Sequence, residues 1–377
     1  MPAVMSAAMS PLIPDYWDCF ALDYSGAREK FRLAAQAAGA RLCAYQHPEQ
    51  LAPDGSALSI DVAHLGNPAA AKQLLIVSGT HGLEGAAGSA AQIAWMKSGG
   101  AQALPADLGV LLVHSLNPYG HQHGSRTTEN NVDLNRNFVN HNAAYPQNQA
   151  YASLHEKIIP DHWTEARIQQ ADEAARLYGE QFGADALYNA LASGQYSHPD
   201  GLVYGGSQRE WSNRTLETIV QVHLEHARQV GFIDWHTGIG DYAEPFFLCF
   251  NEDGGKLQAR AASWWGADRV LGQRPNGMAR PNYQGLVFFG LQEFLGDRPV
   301  VGAVIEFGTR GLGTRYSLRL DQWLRHKSHL HPDPMRDAHL RSDLLDAFVP
   351  VSNSWRRSVL RHSMEITQQA IAGVSAW

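Results

Sequence analysis

The sequence predicts an α/β fold, a single domain built on a central mixed, mostly parallel, twisted sheet flanked by helices. Three observations predict it. Apolar runs of strand length recur at residues 74–77, 109–114, 230–234 and 300–305, as buried parallel strands do. Stretches with helical character lie between them, the alternation that builds a parallel sheet. Each run also opens onto a polar cluster, the position at which open α/β sheets bind ligands.

Taken in order, residues 1–20 are interrupted by Pro2, Pro11 and Pro14 and read as an arm or cap. Residues 24–39 set Phe31, Leu33 and Ala34 among Arg28, Glu29, Lys30 and Arg32, an amphipathic helix closed by Gly39. Residues 41–45 and 58–62 read as strands about the turn Pro53-Asp54-Gly55. The run at 74–77 breaks at Gly79, where the backbone turns without a Cβ penalty, and a helix follows over 86–96. The strand at 109–114 leads into a turn at 115–120. A long polar loop over 121–138 comes next, and its length and two arginines mark it as functional. Helices are expected at 163–178, 183–193 and 213–229, with a loop at 196–206. The strand at 230–234 ends at His236, with a further strand at 246–250 and a helix at 257–265. Residues 272–290, with Pro275, Gly277, Pro281 and Gly285, read as loop. Glu306 directly follows the strand at 300–305, and helices at 318–329, 334–345 and 355–372 close the chain. No linker divides it. The expectation is one domain over 1–377, with a helical insertion around 140–205 and a helical C-terminal extension over 316–377.

Composition narrows the function. The chain has 377 residues, 44% hydrophobic and 18% charged, which is the profile of a globular protein. Thirty basic residues against 37 acidic ones give a net charge of −7, which argues against a general affinity for nucleic acid. No run approaches the roughly 18 apolar residues of a membrane helix. Cys19, Cys43 and Cys249 form no CxxC pair and no even framework. With no signal-peptide pattern at the start, the expected location is the cytoplasm.

The polar clusters carry the chemistry. His81 and Glu84 stand three residues apart after the first run, a spacing that lets an imidazole and a carboxylate reach one point. With His236, they make two imidazoles and one carboxylate, a three-ligand zinc set that leaves a fourth position open. Zinc would lower the pKa of its water to about 7, and Glu306 would take that proton and return it to the leaving nitrogen. Of the guanidiniums in the polar loop, one near the carbonyl oxygen would stabilise the oxyanion and a second could grip a substrate carboxylate with two bonds. Asp234, two residues before His236, points to the same side of a strand and is a partner for that imidazole. Each residue alone has a plainer reading: Glu306 as a strand-end ion pair, Arg136 as a clasp on Asp133, His236 as a capped core histidine. His114, His121, His123 and His141 read as loop histidines, and Tyr119, Asn131 and Asp133 as residues that shape the loop.

The set His81-Gly82-x-Glu84, Asn117-Pro118-x-Gly120, Asp133-Leu134-Asn135-Arg136-x-Phe138, Asp234-x-His236-Thr237 and Glu306 resembles the zinc carboxypeptidase superfamily. The short interval between Arg126 and Asn135 is similar to its aspartoacylase and succinylglutamate desuccinylase branch and to the DUF2817 type. The resemblance spans roughly residues 70–310. It implies His81, Glu84 and His236 as ligands of one Zn2+ per chain, Glu306 as general base, and Arg126 as the group that polarises the scissile carbonyl. Asn135 and Arg136 would bind the terminal carboxylate, and Tyr283 is the candidate for the family's mobile tyrosine. The chain departs from the family's pattern at Trp235, where a smaller aliphatic residue is usual, and in the insertion at 140–205.

The function expected is a zinc-dependent hydrolase that cleaves an amide bond next to a free carboxylate, either a metallocarboxypeptidase or an N-acyl amino acid amidohydrolase. Its partner is a small peptide or N-acyl amino acid, with no nucleic acid and no membrane. The rival is a catalytically idle carboxylate-binding module on the same fold. A nucleotide-binding reading of Gly79–Gly85 fails because the Gly-Lys-Ser/Thr ending of a phosphate loop is missing.

Overall fold

A computed structural model describes residues 14–377. Most of the expected arm at 1–20 lies outside the described residues; within them, Tyr16–Cys19 forms a short helix. Seven strands make one sheet: β1 (Arg41–Leu51), β2 (Ala57–Gly66), β3 (Lys72–Ser78), β4 (Leu108–His114), β5 (Gln229–Tyr242), β6 (Pro245–Cys249) and β7 (Val300–Gly308). Their order is β1-β2-β4-β3-β5-β7-β6. The middle four, β4, β3, β5 and β7, are parallel neighbours. β2 runs antiparallel to β4, β1 antiparallel to β2, and β6 antiparallel to β7. Five of the seven strands therefore point one way, and the four apolar runs that predicted the sheet form its centre.

The period-two alternation of strands sends successive side chains to opposite faces. Leu74 and Ile76 of β3 pack on one side with Ile233, Trp235, Ile305 and Phe307. That layer is covered by the helices Tyr24–Ala37, Gly85–Lys97, Lys256–Trp265 and Asn353–Ser375. Leu75 and Val77 join Val230, Phe232 and Val300 on the other side, under the helices Trp211–His223 and Val287–Leu295. Trp235, stacked on Phe307 at 5.6 Å, faces away from its neighbour His236. The tryptophan that departs from the family pattern is therefore a core residue of the opposite face.

Several elements differ from their sequence expectation. Residues 287–290, expected as loop, open the helix Val287–Leu295, because Val287, Phe288, Leu291 and Leu295 present one apolar stripe to the sheet. Gly290 on that helix lies against the Phe138 ring, where a Cβ would come within 2.2 Å. The expected turn at 115–120 opens a short helix, Pro118–His123, whose first turn is capped by Asn117 Oδ1 accepting from the Gly120 amide at 2.9 Å. Residues Gln149–Ile158 form an additional helix before Glu165–Phe182 and Ala184–Ala192. The helix expected to reach residue 229 ends at His223. Finally, β5 and β7 continue past their apolar runs, with Thr237 paired to Phe307 and Gly238 to Gly308. His236 and Glu306 accordingly lie inside strands, not after them. Ladder hydrogen bonds to a neighbouring strand outweigh the low strand preference of Asp, His and Gly.

Candidate metal centre and carboxylate cavity

The site begins where β3 ends. Gly79 takes a positive φ of 68°, and the chain turns into a 3-10 turn, Gly82–Glu84, that starts the helix Gly85–Lys97. Gly82 passes so close to Gly120 that a Cβ would stand 2.0 Å from its carbonyl carbon. This tight crossing sets His81 and Glu84 at the end of the sheet, beside β5.

Three buried side chains then converge. His81 Nδ1 lies 3.0 Å from His236 Nδ1 and 3.0 Å from Glu84 Oε1, and His236 Nδ1 lies 3.2 Å from Glu84 Oε2. The ligand atoms of a tetrahedral zinc site with bonds of 2.0–2.1 Å are about 3.3 Å apart. The three separations fit that demand, and this is the one such cluster among the described residues. The far nitrogens fit it too. His81 Nε2 is 3.0 Å from Asp133 Oδ1, a hydrogen bond, and His236 Nε2 is 2.9 Å from Asp234 Oδ2. The second contact is off the N–H axis and acts electrostatically. Metal-binding histidines are oriented by carboxylates in this way. Thr80 Oγ1 donates to both oxygens of Asp234, at 2.9 and 3.0 Å, and fixes it in turn.

The cluster is built to attract positive charge. Burial opposes a charge on His236, but Asp234 and Glu84 raise its pKa well above the usual value. Burial would raise Glu84, yet His81, His236 and Arg126 hold it well below the usual carboxylate range. Burial pushes Glu306 up to about 7, with Glu84 adding to the shift and His236, His81 and Arg126 opposing it.

Glu306 is the register partner of His236 across β5 and β7. It lines a cavity together with His81, Arg126, Asn135, Arg136 and Tyr283, so all the sequence-predicted residues outside the metal cluster meet there. The Ile239 amide donates to Glu306 Oε2 at 3.4 Å. Arg126 donates from Nη1 to Glu84 Oε1 at 2.7 Å and from Nε to Asp133 Oδ2 at 3.2 Å.

Arg136 is buried, and its guanidinium donates only to main-chain oxygens: to Ala192 O from Nε at 3.1 Å and Nη2 at 2.6 Å, and to Asn135 O from Nη1. No carboxylate among the described residues pairs with it, so the clasp on Asp133 does not form as an ion pair. Asn135 Oδ1 accepts from the Val287 amide at 2.9 Å, which leaves its NH2 group without a protein acceptor among the described residues. Tyr283 lies with its ring 4.9 Å from the Arg136 guanidinium carbon.

Residues 20–362 match the family described as Protein of unknown function (DUF2817). The chain belongs to that family. No curated protein matches it. Among solved structures, it is similar to a chain of bovine thrombin-activatable fibrinolysis inhibitor in complex with tick carboxypeptidase inhibitor. The TM-score is 0.50 and the identity 11%, covering 96% of this chain and 99% of that one. Two further matches are the metallo-carboxypeptidase from Burkholderia cenocepacia (TM-score 0.39, 15% identity, 92% and 69% covered) and the product-bound Ectoine utilization protein EutE (DoeB) from Ruegeria pomeroyi (TM-score 0.39, 15% identity, 75% and 67% covered). At such identities the first likeness establishes a shared fold, the zinc carboxypeptidase-like one.

Within this DUF2817 member, three features were not legible in advance. Asp133 does more than shape a loop, since it joins His81 to Arg126; its place two residues before Asn135 was the available signal. Tyr188 and Ala192 line the cavity from the helix Ala184–Ala192, a contribution that only the tertiary fold reveals. The polar loop is also not solvated. Asn131, Asp133, Asn135, Arg136 and Asn137 are all buried, and their amides satisfy main-chain groups, as when Asn137 Nδ2 donates to Gly205 O and Gln208 O. The remaining histidines hold structural positions. His114 donates to or accepts from Ser89 and stacks on Phe31, His121 pairs with Ser115, and His141 bridges Tyr145 and Asn137. His123 packs on Tyr119. The three cysteines are free, and no helix among the described residues is long and apolar enough to cross a membrane.

Proposed function

We propose that this protein is a zinc-dependent hydrolase that cleaves an amide bond adjacent to a free carboxylate, in a short peptide or an N-acyl amino acid. The observation that carries this reading is the convergence of His81 Nδ1, His236 Nδ1 and the Glu84 carboxylate at 3.0–3.2 Å, beside a cavity that His81 lines together with Glu306 and a buried arginine with no carboxylate in ion-pair contact among the described residues.

His81, Glu84 and His236 would hold one zinc ion, which when bound would supply Lewis acidity to water and to a carbonyl oxygen. The rest is the work of the chain. Arg136 offers the substrate carboxylate a buried guanidinium that has no direct ion pair among the described residues, and the Asn135 NH2 adds a donor beside it. Among the described residues, Arg126 Nη2 has no hydrogen-bond partner while Asp133 and Glu84 hold the other two nitrogens, so it can donate to oxyanion charge as that charge develops. Glu306, raised towards 7 by burial, accepts the proton from the attacking water and delivers it to the leaving nitrogen, a task suited to a carboxylate whose pKa lies near the working pH. The phenol of Tyr283 is raised well above its ordinary pKa by burial and remains a hydrogen-bond donor beside Arg136. Beyond these groups the cavity wall is mostly apolar, with Leu191, Leu248, Phe250 and Leu286 outnumbering the polar Tyr188, Thr237 and Asn276. The side chain next to the substrate carboxylate is therefore apolar in this reading.

The test is metal analysis joined to a hydrolysis screen. Purified protein should hold about one zinc per chain and release amino acids from N-acyl amino acids or dipeptides. His81→Ala should lose metal and turnover together, and Glu306→Gln should keep the metal and lose turnover. An active His81→Ala protein free of metal overturns the proposal.

A further inference from the structure

The helix Ala184–Ala192 is stitched along its length to the segment that carries Tyr283. The Ala279 amide donates to Asp185 Oδ1 at 2.9 Å, the Asn282 amide to Asn189 Oδ1 at 2.8 Å, and the Gln284 amide to Ser193 O at 2.9 Å. Between these last two anchors sits Tyr283, whose ring covers the Arg136 guanidinium on one side and meets Phe250 edge-on at 5.8 Å on the other. The same helix ends by accepting two bonds from Arg136 through Ala192 O. Gly194 then turns away at φ 109°, so near that a Cβ would touch Arg136 Cδ at 2.9 Å. Thus one helix holds both members of the Arg136–Tyr283 pair, one by side-chain acceptors and the other by a carbonyl.

A loop free to move would have to be ordered each time a carboxylate bound, and that ordering would be subtracted from the affinity. Here the order is supplied in advance. Asp185 is exposed and Asn189 half-buried, so neither is spent on filling a core; each uses its oxygen to accept a main-chain N–H from the 279–284 segment.

We propose that Asp185 and Asn189 are positioning residues for substrate binding: they make the helix Ala184–Ala192 a fixed jaw that keeps Tyr283 over Arg136, in place of the mobile tyrosine the resemblance implied, and presets the pocket for the substrate carboxylate. The inference rests on the proposed function, since it takes Arg136 as the carboxylate receptor. Removing either acceptor releases the segment and weakens carboxylate binding without altering the reacting groups. The effect falls on KM, because a contact made equally in ground and transition states leaves kcat alone.

The experiment uses the full-length, metal-loaded protein, with L-phenylalanine as the probe in calorimetry and an N-acyl-phenylalanine in kinetics. Asn189→Ala is expected to weaken phenylalanine binding and raise KM about tenfold, the loss of one well-placed hydrogen bond and its ordering. Asp185→Ala is expected to act in the same direction. Asn189→Asp, which retains an acceptor oxygen, is expected to restore wild-type affinity. Phenylalaninamide, which has no carboxylate, should bind weakly to every variant. If Asn189→Ala binds phenylalanine as wild type does, or if Asn189→Asp fails to rescue it, the jaw is wrong while the function stands. If wild type itself neither binds phenylalanine nor hydrolyses its N-acyl derivative, the functional reading falls and the jaw falls with it.

Discussion

His236 and Glu306 are register partners on the parallel strands β5 and β7, and their side chains emerge from the same face of the sheet. The imidazole proposed to bind metal and the carboxylate proposed as base are thus set side by side by ladder hydrogen bonds between two central strands. Geometry that depends on strand register is hard to perturb, because a slip of one residue would turn both apolar faces over.

This placement bears on pH. Burial, reinforced by Glu84, pushes Glu306 up to about 7, and a bound divalent cation would draw it down. Glu306 works as a base only when ionised, so kcat/KM of the zinc-loaded protein should rise with pH along an acid limb whose midpoint lies at or below about 7. A limb that lies higher, or that persists in Glu306→Gln, counts against the assignment. The measurement is kcat/KM from pH 5 to 9.

Asp133 serves two residues, accepting from His81 Nε2 at 3.0 Å and Arg126 Nε at 3.2 Å. Asp133→Asn retains the shape and removes the charge. Zinc affinity should fall by about 10–100-fold, the usual cost of losing such an outer carboxylate. Competition with a chelator measures it. An unchanged affinity would return Asp133 to the role of a loop residue.

Ala192 lines the cavity, and its carbonyl holds Arg136. Ala192→Phe would occupy space on the apolar wall and leave the carbonyl in place. The ratio of kcat/KM for an N-acyl-phenylalanine over an N-acyl-alanine should fall about tenfold, the scale at which an apolar pocket discriminates by size. Equal losses for both substrates would show that the wall does not face the side chain.

Buried neutral histidines make the fold sensitive to acid. Burial lowers His121 from 6.5 to about 4, and it also holds His114 well below its ordinary value. Between those values the unfolded chain binds protons that the folded chain does not. Stability is therefore complete above about pH 6.5 and falls as pH drops towards 4, by about 3 kcal/mol for His121. Urea midpoints between pH 7 and 4.5 should show this slope, and His121→Gln should flatten it.

Apolar runs and their polar endings were readable because burial on both faces of a parallel strand leaves no polar positions to confuse the pattern. The four runs became β3, β4, β5 and β7, and the residues after or within them became the candidate site. Val287–Leu295 was obscured by Gly285 and Gly290, which read as loop but allow close packing against Arg136 and Phe138. The expected end of β5 at His236 was premature because pairing with β7 carries the strand on to Tyr242. The single-domain division into insertion and extension remains our proposal; the structure adds that helices from both regions, through Tyr188 and Leu318, reach the cavity.

What the sequence by itself determined was the order of the central strands and the choice of His81, Glu84, His236, Arg136 and Glu306 as candidates, since residue type and local periodicity are written along the chain. Only the tertiary structure decided which nitrogens of His81 and His236 face one another, that Asp133 stands behind His81, and that the helix Ala184–Ala192 grips both Arg136 and the Tyr283 segment. These are contacts between residues tens to hundreds of positions apart. Local composition holds no record of them; they exist because two packed layers bring distant segments to one end of one sheet.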